Sequence, residues 1–128
     1  MNPGSSRLAT AARILFFAAL VFALVMSLLP KPPVLPGDPT DKVQHMLAFG
    51  TLTLLMGIGW PTRALWRIAI DMAVLGALIE VSQWAFPRLN RVADTRDWYA
   101  DMIAAGAMLL LLALIRAGLR ARSPEPAE

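Results

Sequence analysis

Cysteine is absent from the chain. No disulfide framework, thiolate nucleophile or thiolate metal site can therefore be built, and nothing reports the redox compartment. Histidine occurs once, and neither a His-Glu-x-x-His run nor a nucleophilic-serine motif is present, so the familiar metalloprotease and serine-hydrolase signatures are missing. Charge is also scarce: 16% of residues are Asp, Glu, Lys or Arg, against about 25% in an ordinary soluble domain. The net charge is +3. Its twelve Lys and Arg residues are divided among five short stretches with no interleaved aromatic stripe, so nucleic acid is not the expected partner.

What the chain has in excess is apolar residues, 57% with a mean hydropathy of +0.56, where about 45–50% is usual. They fall into four blocks, at about residues 14–29, 43–60, 65–86 and 98–115. Each is long enough, or nearly so, to cross a bilayer as a helix. The expected fold is all-α: a four-helix transmembrane bundle with short loops over residues 14–115, a short N-terminal segment at 1–13, and a basic, then disordered, tail at 116–128.

The first block follows Arg7 and Arg13 and is closed by Pro30, Pro32 and Pro33, like a signal peptide. No small-x-small cleavage site follows it, and extension back to Leu8 gives a spanning length, which predicts a retained signal anchor. Residues 30–42 hold five of the ten prolines. Asp38 is expected to cap the second helix and Pro39 to take its first position. Gly57 and Gly59 are expected to end that helix before Trp60 and Pro61.

If all four blocks span, Arg7, Arg13, Arg63, Arg67, Arg116, Arg120 and Arg122 share one side, and Lys31, Lys42, Arg88, Arg91 and Arg96 the other. Seven positive residues against five place both termini in the cytoplasm of a bacterial inner-membrane, multi-pass protein. Trp60 and Trp66 then mark the inner interface, and Trp84, Trp98 and Tyr99 the outer one.

That topology brings polar residues from three helices to the outer end of the bundle. Asp41, Lys42 and His45 open the second helix, Glu80 and Gln83 lie near the end of the third, and Arg91 precedes Asp94, Asp97 and Asp101, spaced to share a face of the fourth. A carboxylate within a bilayer costs about 2.5–3.5 kcal/mol, so such residues turn inward to partners. Glu80 is expected to meet Lys42, His45 or Arg91. The cluster either pins three helices in register or forms an outward-facing site for a polar ligand. Asp71 is expected to pair with Arg67, four residues before it. Ala100, Ala104, Ala105 and Gly106 offer small surfaces for close helix contact.

At these residues the chain resembles the VanZ-like family of integral membrane proteins. The resemblance is carried, in order, by Asp41-Lys42-Val43-Gln44-His45-Met46-Leu47-Ala48-Phe49-Gly50, by Glu80-Val81-Ser82-Gln83, and by Arg91-x-x-Asp94-x-x-Asp97. Asp101 stands where the family usually has Asn, and Ala104 where a Gly is expected. The resemblance implies a compact membrane bundle in the bacterial envelope and, for the family's namesake, lowered susceptibility to a glycopeptide that binds wall precursors.

Three functions follow as expectations. The first is a non-catalytic envelope protein whose outer cluster binds a phosphorylated lipid head group, a wall precursor or a partner protein, with Lys42 and Arg91 on phosphate. The second is a small accessory subunit of a larger membrane complex, with Met46, Met56, Met72 and Met102 available as packing material. The third is a metal-dependent intramembrane enzyme acting on a lipid-linked phosphate, with a Mg²⁺- or Mn²⁺-type ion held by His45, Glu80, Asp97 and Asp101 and with Asp94 nearby. No cofactor is expected, and no residue is assigned as catalytic.

Overall fold

A computed structural model describes residues 3–123. It contains four α-helices, α1 (Pro3–Leu28), α2 (Asp41–Gly59), α3 (Leu65–Ala85) and α4 (Thr95–Arg122), with a 3₁₀ turn at Pro87–Leu89 and no strand among the described residues. The four apolar blocks are these helices, but their ends differ from expectation. α1 begins at Pro3 instead of residue 14, so most of the expected N-terminal segment is its first turns. α4 runs to Arg122, making helical most of the basic stretch expected to be tail; residues 124–128 lie outside the described residues.

The start of α2 also corrects the expected cap. Gly37 and Asp38 have φ of 82° and 47°, a left-handed turn closed by the Asp38 N–H donating to the Leu35 carbonyl at 3.0 Å. Asp38 is thus used as a turn residue, a conformation Asp tolerates better than most. Thr40 caps instead, its hydroxyl accepting from the Val43 N–H at 3.4 Å, and Asp41 becomes the first helical residue. At α4 the capping residue is Asp94, whose side chain accepts from the Arg96 N–H at 2.9 Å.

Cross-helix bonds fix the helix directions. Arg13, in the first half of α1, donates to the carbonyl of Gly59 at the end of α2, while Ser27 at the end of α1 accepts from Gln83 near the end of α3. His45 and Asp101 meet near the starts of α2 and α4, and Gly57 meets Leu112 and Arg116 further along both. The helices therefore alternate up, down, up, down, with α2 and α4 parallel and in close contact. Gly57 permits that contact: a Cβ there would come within 2.8 Å of the Leu112 Cδ2. Gly106, expected to serve the same purpose, is exposed and meets nothing, whereas Ala100 and Ala105 are buried.

A single apolar core joins Phe16 and Ala23 of α1, Phe49 and Leu52 of α2, Ile68, Met72 and Ile79 of α3, and Ala105 of α4. The outer surface is apolar as well. Along α3, Trp66, Ile70, Val74, Leu78, Val81 and Trp84 form one exposed stripe at steps of three and four residues. Two helices, α1 from Gly4 and α4, are long and apolar enough to cross a membrane, and only 17% and 11% of their most apolar stretches is buried. That exposure separates them from the core helix of a soluble domain.

Candidate functional site

The polar residues gathered at the α2/α4 start form one connected network. His45 is its centre. Its ring is 7% exposed, held between α2 and α4, with Nδ1 3.0 Å from Oδ1 of Asp101, itself 1% exposed. A carboxylate only accepts, so Nδ1 carries the proton and donates, and Nε2 faces the other way. On that side lie Oδ2 of Asp41 and Oδ2 of Asp97, each 4.0 Å away. Lys42 stands behind Asp97, with Nζ 3.4 Å from Oδ1, and also 3.8 Å from Oδ2 of Asp94. Arg91 stands behind Asp41, its guanidinium 3.9 Å from Oδ1.

The close seating of α3 on α4 brings the third helix to this cluster. The Trp98 indole N–H donates to the Ala73 carbonyl at 3.1 Å, and a Cβ at Gly76 would lie 3.0 Å from Trp98 and 3.3 Å from Oδ2 of Asp101. Glu80 then reaches the loop before α4. The expected ion pair with Lys42, His45 or Arg91 is not made; Oε2 instead accepts from the backbone N–H of Asp94 at 2.8 Å, and Oε1 is buried with no hydrogen-bond partner among the described residues. The reason is geometric. The chain before α4 turns in over the end of α3 and presents a free backbone donor closer than any cation.

Gln83, buried, faces away from the cluster and donates to the Ser27 carbonyl at 2.9 Å, tying α3 to α1. Of the nine residues singled out, Asp41, Lys42, His45, Arg91, Asp94, Asp97 and Asp101 thus meet directly, Glu80 joins through the backbone, and Gln83 is a helix tie. The expected ligand set of His45, Glu80, Asp97 and Asp101 does not converge. The group whose donor atoms lie within 4.8 Å of one another is Asp41, His45 and Asp97.

Beside the network opens a cavity of about 420 Å³. Its walls are apolar side chains of α1 and α2, among them Leu20, Phe22, Leu47 and Leu52, and its polar lining includes Asp41, Gln44, His45 and Arg91. Leu35, Pro36 and Pro39 of the proline-rich segment contribute another part of the wall. Gln44 braces that segment by donating to the Pro39 carbonyl at 2.9 Å. Sequence reasoning missed this cavity, because apolar walls carry no polar marker.

At the opposite end the expected basic residues gather, but their partners differ. Arg63 donates through Nε and Nη2 to the same oxygen of Asp71, at 2.8 and 2.6 Å, taking the place expected for Arg67, which lies over the Trp66 ring at 5.2 Å. Arg116 donates to the carbonyls of Arg63 and Gly57 at 2.8 and 3.2 Å, and Arg13 to that of Gly59 at 2.7 Å. These carbonyls include the free C-terminal acceptors of α2, which cations stabilise.

No protein-family model, curated protein or solved structure matches the chain.

Proposed function

We propose that the protein is a VanZ-like, four-span integral membrane protein of the bacterial cytoplasmic membrane, with both termini cytoplasmic, that binds one phosphorylated lipid at the outer end of its bundle. The observation that carries the lipid reading is the shape and chemistry of the cavity. An apolar cleft between α1 and α2 of about 420 Å³ has Arg91, His45, Gln44 and Asp41 in its lining, as an acyl chain joined to a polar head group requires. A four-span topology is supported by the alternating helix directions and by the exposed apolar stripes. Trp66 at one end and Trp84 and Tyr99 at the other, each at least 61% exposed, suit two interfacial belts.

Energetics assign the roles. A lipid tail gains little on leaving a bilayer for an equally apolar cleft, so the cleft selects by shape. Affinity comes from the head group, for which Arg91 offers charge-assisted hydrogen bonds to phosphate. Its guanidinium is close to Asp41 but at 3.9 Å is not committed to a short bond. The VanZ-like resemblance adds lipid-linked wall precursors to ordinary phospholipids as candidate ligands.

Native mass spectrometry of the full chain released from mild detergent should show one retained lipid. Arg91→Ala should lose it, and so should Ala48→Phe, which fills the cleft wall. A wild-type protein without bound lipid, or two folded variants that keep it, would rule the lipid reading out.

A further inference from the structure

Three ligand atoms beside the cavity, two of them on its lining residues Asp41 and His45, face one another without a hydrogen bond. Nε2 of His45 is 4.0 Å from Oδ2 of Asp41 and 4.0 Å from Oδ2 of Asp97, beyond hydrogen-bond reach in both directions. Among the described residues the only hydrogen bond of this imidazole is through Nδ1. The side chain bearing the unpartnered nitrogen is more than nine-tenths buried and aims between the two carboxylates.

Each of the three is held from behind by a different group. Asp101 holds His45 at 3.0 Å, Lys42 holds the far oxygen of Asp97 at 3.4 Å, and Arg91 stands at the far oxygen of Asp41 at 3.9 Å. A buried carboxylate on one imidazole nitrogen, with the other nitrogen turned to a gap between oxygen donors, is the outer-shell pattern that orients a metal-binding histidine.

We infer that Asp41, His45 and Asp97 form a binding site for one divalent first-row transition ion. The donor set chooses the class. An imidazole beside two carboxylates suits Mn²⁺ or Zn²⁺, whereas Mg²⁺ and Ca²⁺ favour oxygen ligands throughout. Bonds of about 2.0–2.2 Å require the three donors to draw in modestly, and Asp41, in the first turn of α2 with its side chain 60% exposed, is free to rotate. Asp41 and His45 also line the cavity, so the ion's remaining positions open beside Arg91, where a phosphate oxygen can enter. Ion binding itself requires no lipid and stands independently of the lipid reading.

The full chain, purified without a polyhistidine tag in mild detergent and stripped with a chelator, is titrated with Mn²⁺ and the loss of the free-ion electron paramagnetic resonance signal is followed. One ion per chain is expected, displaced by Zn²⁺. His45→Gln, Asp97→Asn and Asp41→Asn should each weaken it at least about tenfold, and Asp101→Asn, acting through the imidazole, by about 10–100-fold. Asp71→Asn, at the other end of the bundle, should bind as the wild type does. Should a buried variant fail to fold, Asp41→Asn at the exposed ligand still decides. Absence of one-to-one binding, or binding unchanged in Asp41→Asn, overturns the site.

Discussion

Removing either half of the His45–Asp101 pair should destabilise the bundle far more than removing both. The two side chains are 6% and 1% exposed and join α2 to α4 at 3.0 Å. Asp101→Ala strands the Nδ1 donor, and His45→Ala strands a buried carboxylate, which also loses the only hydrogen bond found for it among the described residues. A buried polar group left unpaired costs about 1–3 kcal/mol, and more when charged. In the double variant neither orphan remains, so the losses are not additive. A double-mutant cycle should return a coupling of about 1.5–3 kcal/mol, the range for a hydrogen bond to a charged group. The assay is reversible unfolding of the full chain in mixed micelles, followed by far-ultraviolet circular dichroism, with all four proteins at one protein-to-detergent ratio. A coupling below about 0.5 kcal/mol, the level at which distant sites already scatter, would refute the claim that this pair fastens the parallel helices.

Two further outcomes test the packing and the topology. Gly57→Leu should cost about 1–3 kcal/mol by overpacking against Leu112, and adding Leu112→Ala should recover most of it in the same unfolding assay; no recovery would mean that the α2–α4 approach is not set there. Because the chain has no native cysteine, single-cysteine variants report topology cleanly. In intact cells a membrane-impermeant maleimide should label Arg88→Cys and leave Ser6→Cys and Arg120→Cys unlabelled, and the reverse pattern would invert the bundle.

The helices were legible because prolines and polar breaks separate four apolar blocks, and the cluster because residues at i and i+4 recur at a common depth on successive helices. What could not be read depends on backbone groups. Asp38 has the composition of a cap, but the left-handed turn it shares with Gly37 transfers that role to Thr40. Glu80, a carboxylate amid apolar neighbours, needs a partner, but that partner is the N–H of Asp94, and a peptide donor leaves no trace in the sequence. The Arg116–Arg122 stretch has the composition of a tail. It is helical, and its first residue, Arg116, donates to the carbonyls of Gly57 and Arg63, backbone acceptors that no sequence pattern marks.

The parallel course of α2 and α4 accounts for the unlike chemistry of the two ends. Their C-termini lie together, and arginines from α1, α4 and the α2–α3 turn gather there, as the negative ends of two helix dipoles favour. Their N-termini lie together at the other end, where Asp41 and Asp97 each occupy a first turn and gain from a partial charge of about +0.5. Those dipoles offset about one charge in all. Lys42 and Arg91 offset two of the five carried by Asp41, Glu80, Asp94, Asp97 and Asp101. About two negative charges remain, and the C-termini of α1 and α3, which reach the same end, add to them. Lys31, Arg88 and Arg96 stand at the same end, but among the described residues Lys42 and Arg91 are the Lys or Arg side chains within 4.0 Å of these carboxylates, so a cation bound among them would stabilise the ionised cluster further. A charged imidazole would provide one unit and a divalent ion two, and an ion seated between Nε2 of His45 and the two carboxylates, each 4.0 Å from it, would bring all three into direct bonds.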